Sequence, residues 1–319
     1  MEEHFVSPSF LKGPGKNLTE QAKNRESYIG KLFEQLCDVS NKRIAEMDAA
    51  GIDVQVLSLN SPGTEQLNAE EARTIAKETN DFLADSVQSH PGRFAGFAAL
   101  PTADPKAAAI ELERTARDYH FKGAIINGHI QGRYLDNEFF WPIFESAEEL
   151  DVPIYIHPTI PPQAVIDAYY SGFDPAITNM LAGAGWGWHI ETAVHVIRLI
   201  LGGVFDQYPR LQIIIGHMGE TLPFMLQRLD RIMNTATTKF KRPVSAYMRE
   251  NIHYTFSGFN YTSTFLNLLL EVGVDRIMFS ADYPYASMAQ ARDFLNKLPV
   301  STADKERIAH GNAERLLKM

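Results

Sequence analysis

The sequence predicts an α/β chain folded as a (β/α)8 TIM barrel, one domain over residues 1–319, with a long first βα-loop and a closing C-terminal helix. Three observations carry this expectation. Short apolar runs alternate along the chain with longer stretches of helical periodicity. Eight of each can be counted, followed by one further helix. No GxGxxG or P-loop follows an early strand, as a doubly wound open sheet with a nucleotide site would require.

The expected strands cover residues 2–6, 54–59, 94–100, 123–126, 153–157, 212–216, 252–256 and 277–280. Most are apolar without clean alternation, the pattern of parallel strands buried on both faces. Helical periodicity runs over 27–50, 69–90, 105–120, 137–149, 189–205, 221–234, 263–272 and 288–297, and a last helix over 302–318 closes the chain. Asp104 followed by Pro105 is an N-cap and first-turn proline, while Gly51 and Gly273 fall where a glycine ends a helix. The 20-odd polar residues after Val6 form the first βα-loop, over the barrel mouth.

Of the 319 residues, 45% are hydrophobic, and Gly and Pro are scattered, which excludes a disordered chain. Apolar runs such as 194–205 are interrupted by charge and too short to span a bilayer. The start, MEEHF, has neither a basic nor an apolar leader region, so no secretory signal is expected. The single cysteine, Cys37, excludes an intrachain disulfide, and a cytoplasmic location is expected. A net charge of −9 argues against nucleic acid and leaves a small anionic substrate open.

Barrel chemistry sits at the C-terminal strand ends. Among ten histidines, His4, His157 and His217 fall there, on strands 1, 5 and 6, and His129 follows strand 4 less closely. His90, His120, His189, His195, His253 and His310 read as surface or core residues. Glu2 and His4, two apart on a strand, point the same way while Glu3 points outward. Asp282 ends strand 8, beside strand 1 in a closed barrel, and His157 faces across the mouth. Glu2, His4, His157 and Asp282 thus form a mixed N/O ligand set for one divalent metal. Because Glu2 lies next to the first residue, strand 1 is expected to be short and prone to fraying, with reduced metal affinity, unless a few residues precede it. His217 and Glu220 are spaced so that the carboxylate orients the imidazole; Glu220 also reads as an ordinary carboxylate at a helix N-terminus.

The strings EEHF, YIHP, GHMGETLPFMLQRLD and FSADYPY, in that order, resemble the amidohydrolase superfamily, in its branch of metal-dependent non-oxidative hydroxybenzoate decarboxylases. LSLNSPG, FAALP and GAIING extend the resemblance over nearly the whole chain. Glu-x-His on strand 1, where many hydrolases of the superfamily carry His-x-His, tilts the expectation toward decarboxylation. The resemblance implies Asp282 as proton donor to the ring, and Arg228, Asn127 and Tyr285 near the substrate. Their plainer readings are a surface arginine, a turn asparagine and ordinary packing. It also implies a small aromatic acid as substrate, a homo-oligomer (dimer or tetramer), and a metal for which two carboxylates favour Mn²⁺ over Zn²⁺ or Mg²⁺. Trp186 and Trp188 precede the helix bearing Glu191 and His195, which reads as core or subunit interface. The competing expectation is a hydrolase or hydratase of the same superfamily, using a metal-activated water on a lactone, amide or ring-cleavage product.

Overall fold

A computed structural model describes residues 1–236 and 241–319, with side chains omitted for 234–236. Eight parallel strands form the barrel wall: β1 (Glu3–Phe5), β2 (Gln55–Leu59), β3 (Phe94–Gly96, resuming as Ala98–Ala99), β4 (Ala124–Asn127), β5 (Ile154–His157), β6 (Ile213–Ile215), β7 (Ile252–Thr255) and β8 (Ile277–Met278). Neighbours pair in chain order, from His4 against Ser58 to Thr255 against Met278. At Phe97 strand β3 changes partner: the Phe97 amide donates to Leu57 O and that of Ala98 to Gly123 O, both at 2.9 Å. The ring closes where Glu3 bridges Tyr283, with the His4 amide donating to Tyr283 O at 2.7 Å.

The two-residue period of the strands divides the core. Outward residues, among them Leu57, Leu59, Ile126, Ile154, Ile156, Ile213, Ile215 and Tyr254, pack under the helices. Inward residues Val56, Ala95, Phe97, Ile125, Tyr155, Ile214 and Met278 form a second apolar cluster inside the barrel, with Met1 and Leu317. The same parity turns Glu2, His4, His157, Thr255, Ser257, Ser280 and Asp282 toward the upper interior. Polar side chains therefore stand on an apolar plug.

The helices are α1 (Tyr28–Cys37), α2 (Asn41–Ala50), α3 (Ala69–Ser89), α4 (Pro105–Asp118), α5 (Trp141–Leu150), α6 (Gly187–Leu201), α7 (Leu222–Ala236), α8 (Thr262–Val272) and α9 (Met288–Lys297). The helix expected over 27–50 is broken, because the Asp38 carboxylate accepts the amides of Ser40 (3.1 Å) and Arg43 (2.6 Å). The helix expected over 189–205 begins earlier and stops at Gly202–Gly203, where Gly203 takes φ +81°. The closing helix is interrupted by a wide turn over Arg307–Gly311 between Thr302–Glu306 and Asn312–Leu317. The first βα-loop carries two short helices, Pro8–Lys12 and Lys16–Gln21. A helical excursion that periodicity did not reveal, including Pro175–Ala182, lies between β5 and α6.

Strand β1 is short, as expected, but it is not loose: Glu2 and His4 are buried. Glu3 turns away from them without reaching solvent. Its Oε1 accepts the Ala281 amide (2.9 Å) and its Oε2 the Tyr283 amide (3.1 Å), which staples the first strand to the last. Among the described residues, no helix is long and apolar enough to cross a membrane.

Candidate active site

The mouth holds a cleft of about 920 Å³, lined in part by His157, His189, His217, Phe259, Asp282 and Tyr285. At its base the ligand atoms of Glu2, His4 and His157 lie within 4.8 Å of one another. Glu2 Oε1 is 3.1 Å from His157 Nε2 and 3.8 Å from His217 Nε2, while Asp282 Oδ1 is 3.2 Å from His4 Nε2. The ends of strands 1, 5, 6 and 8 thus bring together five residues the sequence singled out.

The Glu2 carboxylate is anchored from behind. Its Oε2 accepts from the hydroxyls of Tyr155 and Ser257, and Tyr155 is in turn 2.8 Å from Thr255 Oγ1. Gly216 makes room for it, since a Cβ there would sit 2.3 Å from Oε2. Glu2 Oε1, by contrast, is buried with no hydrogen-bond donor. A buried carboxylate oxygen facing imidazole nitrogens without a donor suits a cation.

The electrostatics agree. Burial pushes His4 down to about 4, against the pull of Glu2, and lowers His157 as well, so both stay neutral with a lone pair free. Burial works against ionisation of Glu2, but His217 and His157 outweigh it and hold its carboxyl well below the usual range. Burial and the charge of Glu2 push Asp282 well above that range. A cation among these groups would draw Asp282 back down.

His217 follows β6 in a tight turn, where His217, Met218 and Glu220 have positive φ (51°, 55° and 53°). Side chains in this region cost about 1–3 kcal/mol each and persist where the surroundings enforce them. The turn folds Glu220 back, so that its Oε1 lies 2.7 Å from His217 Nδ1. Although burial opposes it, Glu220 and then Glu2 raise His217 to about 10. Glu220 is therefore an internal carboxylate, not a solvated helix-end charge.

Two expected substrate neighbours stand elsewhere in this chain. Asn127 is buried at the end of β4 on the inward side, as Ile125 is, its backbone amide donating to Glu65 Oε1 at 3.1 Å, and it is not among the cleft-lining residues. Arg228 is exposed on α7, also outside the lining. Tyr285 does line the cleft, its hydroxyl donating to Asn60 Oδ1 at 2.7 Å and its ring edge-to-face with His4 at 5.6 Å. Helical periodicity hid His189, which begins α6 at the cleft wall with Nδ1 2.6 Å from Glu220 Oε2. Tyr155 and Ser257 were also missed. Inward parity with His157, two residues on, could have found Tyr155.

A barrel with a carboxylate–imidazole cluster at its C-terminal mouth defines a class of metal-dependent enzymes. A family model described as amidohydrolase matches residues 37–319, and the chain belongs to that family. Among curated relatives it is 38% identical over 337 residues to a gamma-resorcylate decarboxylase of Polaromonas sp. strain JS666, covering 100% of this chain and 98% of that one. The dihydroxybenzoic acid decarboxylase structure from Polaromonas sp. JS666, with bound manganese and the inhibitor 2-nitroresorcinol, superposes with a TM-score of 0.90 at 37% identity, over 99% of this chain and 95% of that one. A 5-carboxyvanillate decarboxylase from Novosphingobium aromaticivorans, with bound manganese and 3-methoxy-4-hydroxy-5-nitrobenzoic acid, gives 0.91 at 35% identity and the same coverage.

Proposed function

We propose that this chain removes CO₂ non-oxidatively from a hydroxylated benzoate, with 2,6-dihydroxybenzoate (γ-resorcylate) the first candidate. The observation that carries the reading is Asp282, which opens on the cleft and stands 3.2 Å from His4 beside the Glu2 cluster. Full-length similarity to decarboxylases supports it. In this reading residues 1–319 are one catalytic domain acting in the cytoplasm.

Glu2, His4, His157 and Asp282 would hold one divalent metal, Mn²⁺ favoured by the two carboxylates, with Zn²⁺ or Mg²⁺ as alternatives. When bound, the cation supplies Lewis-acid stabilisation of charge on substrate oxygens, worth several kcal/mol. The chain's own groups do the rest. Asp282, protonated as the substrate sheds its acidic proton on binding, gives that proton to the ring carbon that bears the carboxylate. The bond to that carboxylate then breaks, its electron pair restores the aromatic ring, and CO₂ departs. His217, tied through Nδ1 to Glu220, presents Nε2–H toward the cleft as a donor to the neighbouring substrate oxygen. Tyr285 and Phe259 wall the ring. Asn127 supports that wall through Glu65.

The exposed apolar side chains of α7, Phe224 (79%), Met225 (43%) and Ile232 (46%), support a homo-oligomer. Arg228 lies on the same helix, so its part in substrate binding requires delivery to a second copy's cleft.

Incubating manganese-loaded protein with 2,6- and 2,3-dihydroxybenzoate and following CO₂ tests the reading. Release from at least one is expected; turnover of lactones or amides with none on any hydroxybenzoate would overturn it.

A further inference from the structure

His189 belongs to no expected part of the site, yet it completes one. The Glu220 carboxylate is buried, and its two oxygens are divided between two imidazoles: Oε1 meets His217 Nδ1 at 2.7 Å and Oε2 meets His189 Nδ1 at 2.6 Å. The three rings of His189, His217 and Phe259 lie mutually edge-to-face, with centroids 4.7, 5.2 and 5.3 Å apart.

The far side of His189 determines which nitrogen carries hydrogen. Trp188 Nε1 donates to His189 Nε2 at 3.1 Å, and Ala184 O lies 3.1 Å from the same nitrogen. An indole N–H only donates, so in that contact Nε2 is an acceptor and the proton sits on Nδ1. If the ring is instead a cation, Nε2–H turns to Ala184 O and Nδ1 still carries a proton. In both states Nδ1–H donates to Glu220.

We propose that His189 is a positioning residue for His217. It occupies the second oxygen of Glu220 and thereby holds the carboxylate in the one rotamer that orients His217 toward the cleft. Without it, Oε2 is a buried carboxylate oxygen with no donor, and Glu220 must rotate, hydrate or take up a proton. Rotation releases Nδ1 of His217, and hydration or protonation weakens the hold of Glu220 on it. The same three groups fall within metal-ligand reach of one another, but the contacts are those of hydrogen bonds. Two ligands sharing a tetrahedral zinc at about 2.0–2.1 Å would stand about 3.3 Å apart, farther than either observed contact.

The inference rests on the decarboxylase reading, and the experiment separates the two. Wild type, His189→Ala and His189→Gln are compared on 2,6- and 2,3-dihydroxybenzoate at saturating Mn²⁺, with metal content and melting temperature recorded. His189→Ala is expected to lower kcat by roughly 10- to 100-fold with little change in KM. His189→Gln, which restores an N–H donor at similar reach, recovers much of it. NMR of histidine-labelled protein supplies a readout independent of turnover. Two downfield, exchange-protected imidazole N–H signals are expected in wild type, and one in His189→Gln. A His189→Ala enzyme with wild-type kcat overturns the proposal, as does a KM effect alone, which would make His189 part of the substrate wall. So would a second bound metal per chain that His189→Gln loses. If wild type turns over no hydroxybenzoate, the substrate reading fails, while the paired N–H signals still decide the geometry of His189.

Discussion

The buried guanidinium of Arg43 donates from Nη2 to the carbonyl oxygen of His4 at 2.6 Å and stacks on the ring of Tyr283 at 4.8 Å. One side chain from α2 thus grips both segments that carry proposed metal ligands, β1 and the turn after β8. Its Nη2 also reaches Gln35 O at 3.0 Å, so α1 is held in the same grasp.

Replacing Arg43 should therefore be felt at the metal. Arg43→Met is expected to weaken Mn²⁺ binding by roughly 10- to 100-fold, the usual cost of losing a group that orients a ligand. Arg43→Lys should fare little better, because an ammonium cannot stack as a plane on the Tyr283 ring. Calorimetric titration of chelator-treated protein measures both, and unchanged affinity in either variant would remove Arg43 from the site's support.

Gly216 makes a sharper case, because its role is steric. The alanine variant places a methyl group 2.3 Å from Glu2 Oε2, where the carboxylate must move. Gly216→Ala should stay folded by circular dichroism yet bind less than one equivalent of manganese after dialysis. Full occupancy would show that Glu2 has more room than the geometry allows.

Asp282 is assigned two tasks, holding the metal and giving up a proton, and amide substitution separates them. Asp282→Asn keeps an oxygen ligand but has no acidic proton. CO₂ release should fall at least 10³-fold, a loss within the range for removing a general acid. Binding of a nitro-substituted phenol as inhibitor should persist. Appreciable turnover would assign the proton to another group.

Glu65 supplies a test by pH. Burial pushes its carboxyl up to about 7, against the Asn127 amide that favours the charged form. The folded value lies above the unfolded one, so the native state binds this proton more tightly. The resulting stability is complete below about 4.5 and is lost as pH rises through 7. Glu65→Gln cannot ionise and escapes the loss. Its melting temperature should gain on wild type between pH 5 and pH 8, by the equivalent of about 3 kcal/mol. A difference that does not change with pH would place Glu65 in the ordinary range.

What could be read from the sequence followed from local periodicity. The eight strands were legible because both faces of each are buried, and β8 was found although only Ile277–Met278 pair regularly. The strand-end rule then selected Glu2, His4, His157 and Asp282. Residues whose importance depends on packing escaped. His189 has helical spacing, and nothing local says that its ring meets Glu220, 31 residues on. Arg43 sits in a stretch that read as continuous helix, and nothing local says that its guanidinium meets His4 O, 39 residues back. Glu3 was expected to face outward and does leave the barrel interior, but its carboxylate is consumed by the backbone at Ala281 and Tyr283.

That last contact bears on how the enzyme is made. The Glu3 staple joins residues about 280 positions apart, and the ligand cluster beside it draws on the same two ends of the chain. During translation the first strand leaves the ribosome with its carboxylate and imidazole in place, but their counterpart does not yet exist. No truncated product can assemble the complete site. With Asp282 among the proposed ligands, metal loading would test whether the barrel has been read through to its final strand, and chains released early should stay empty.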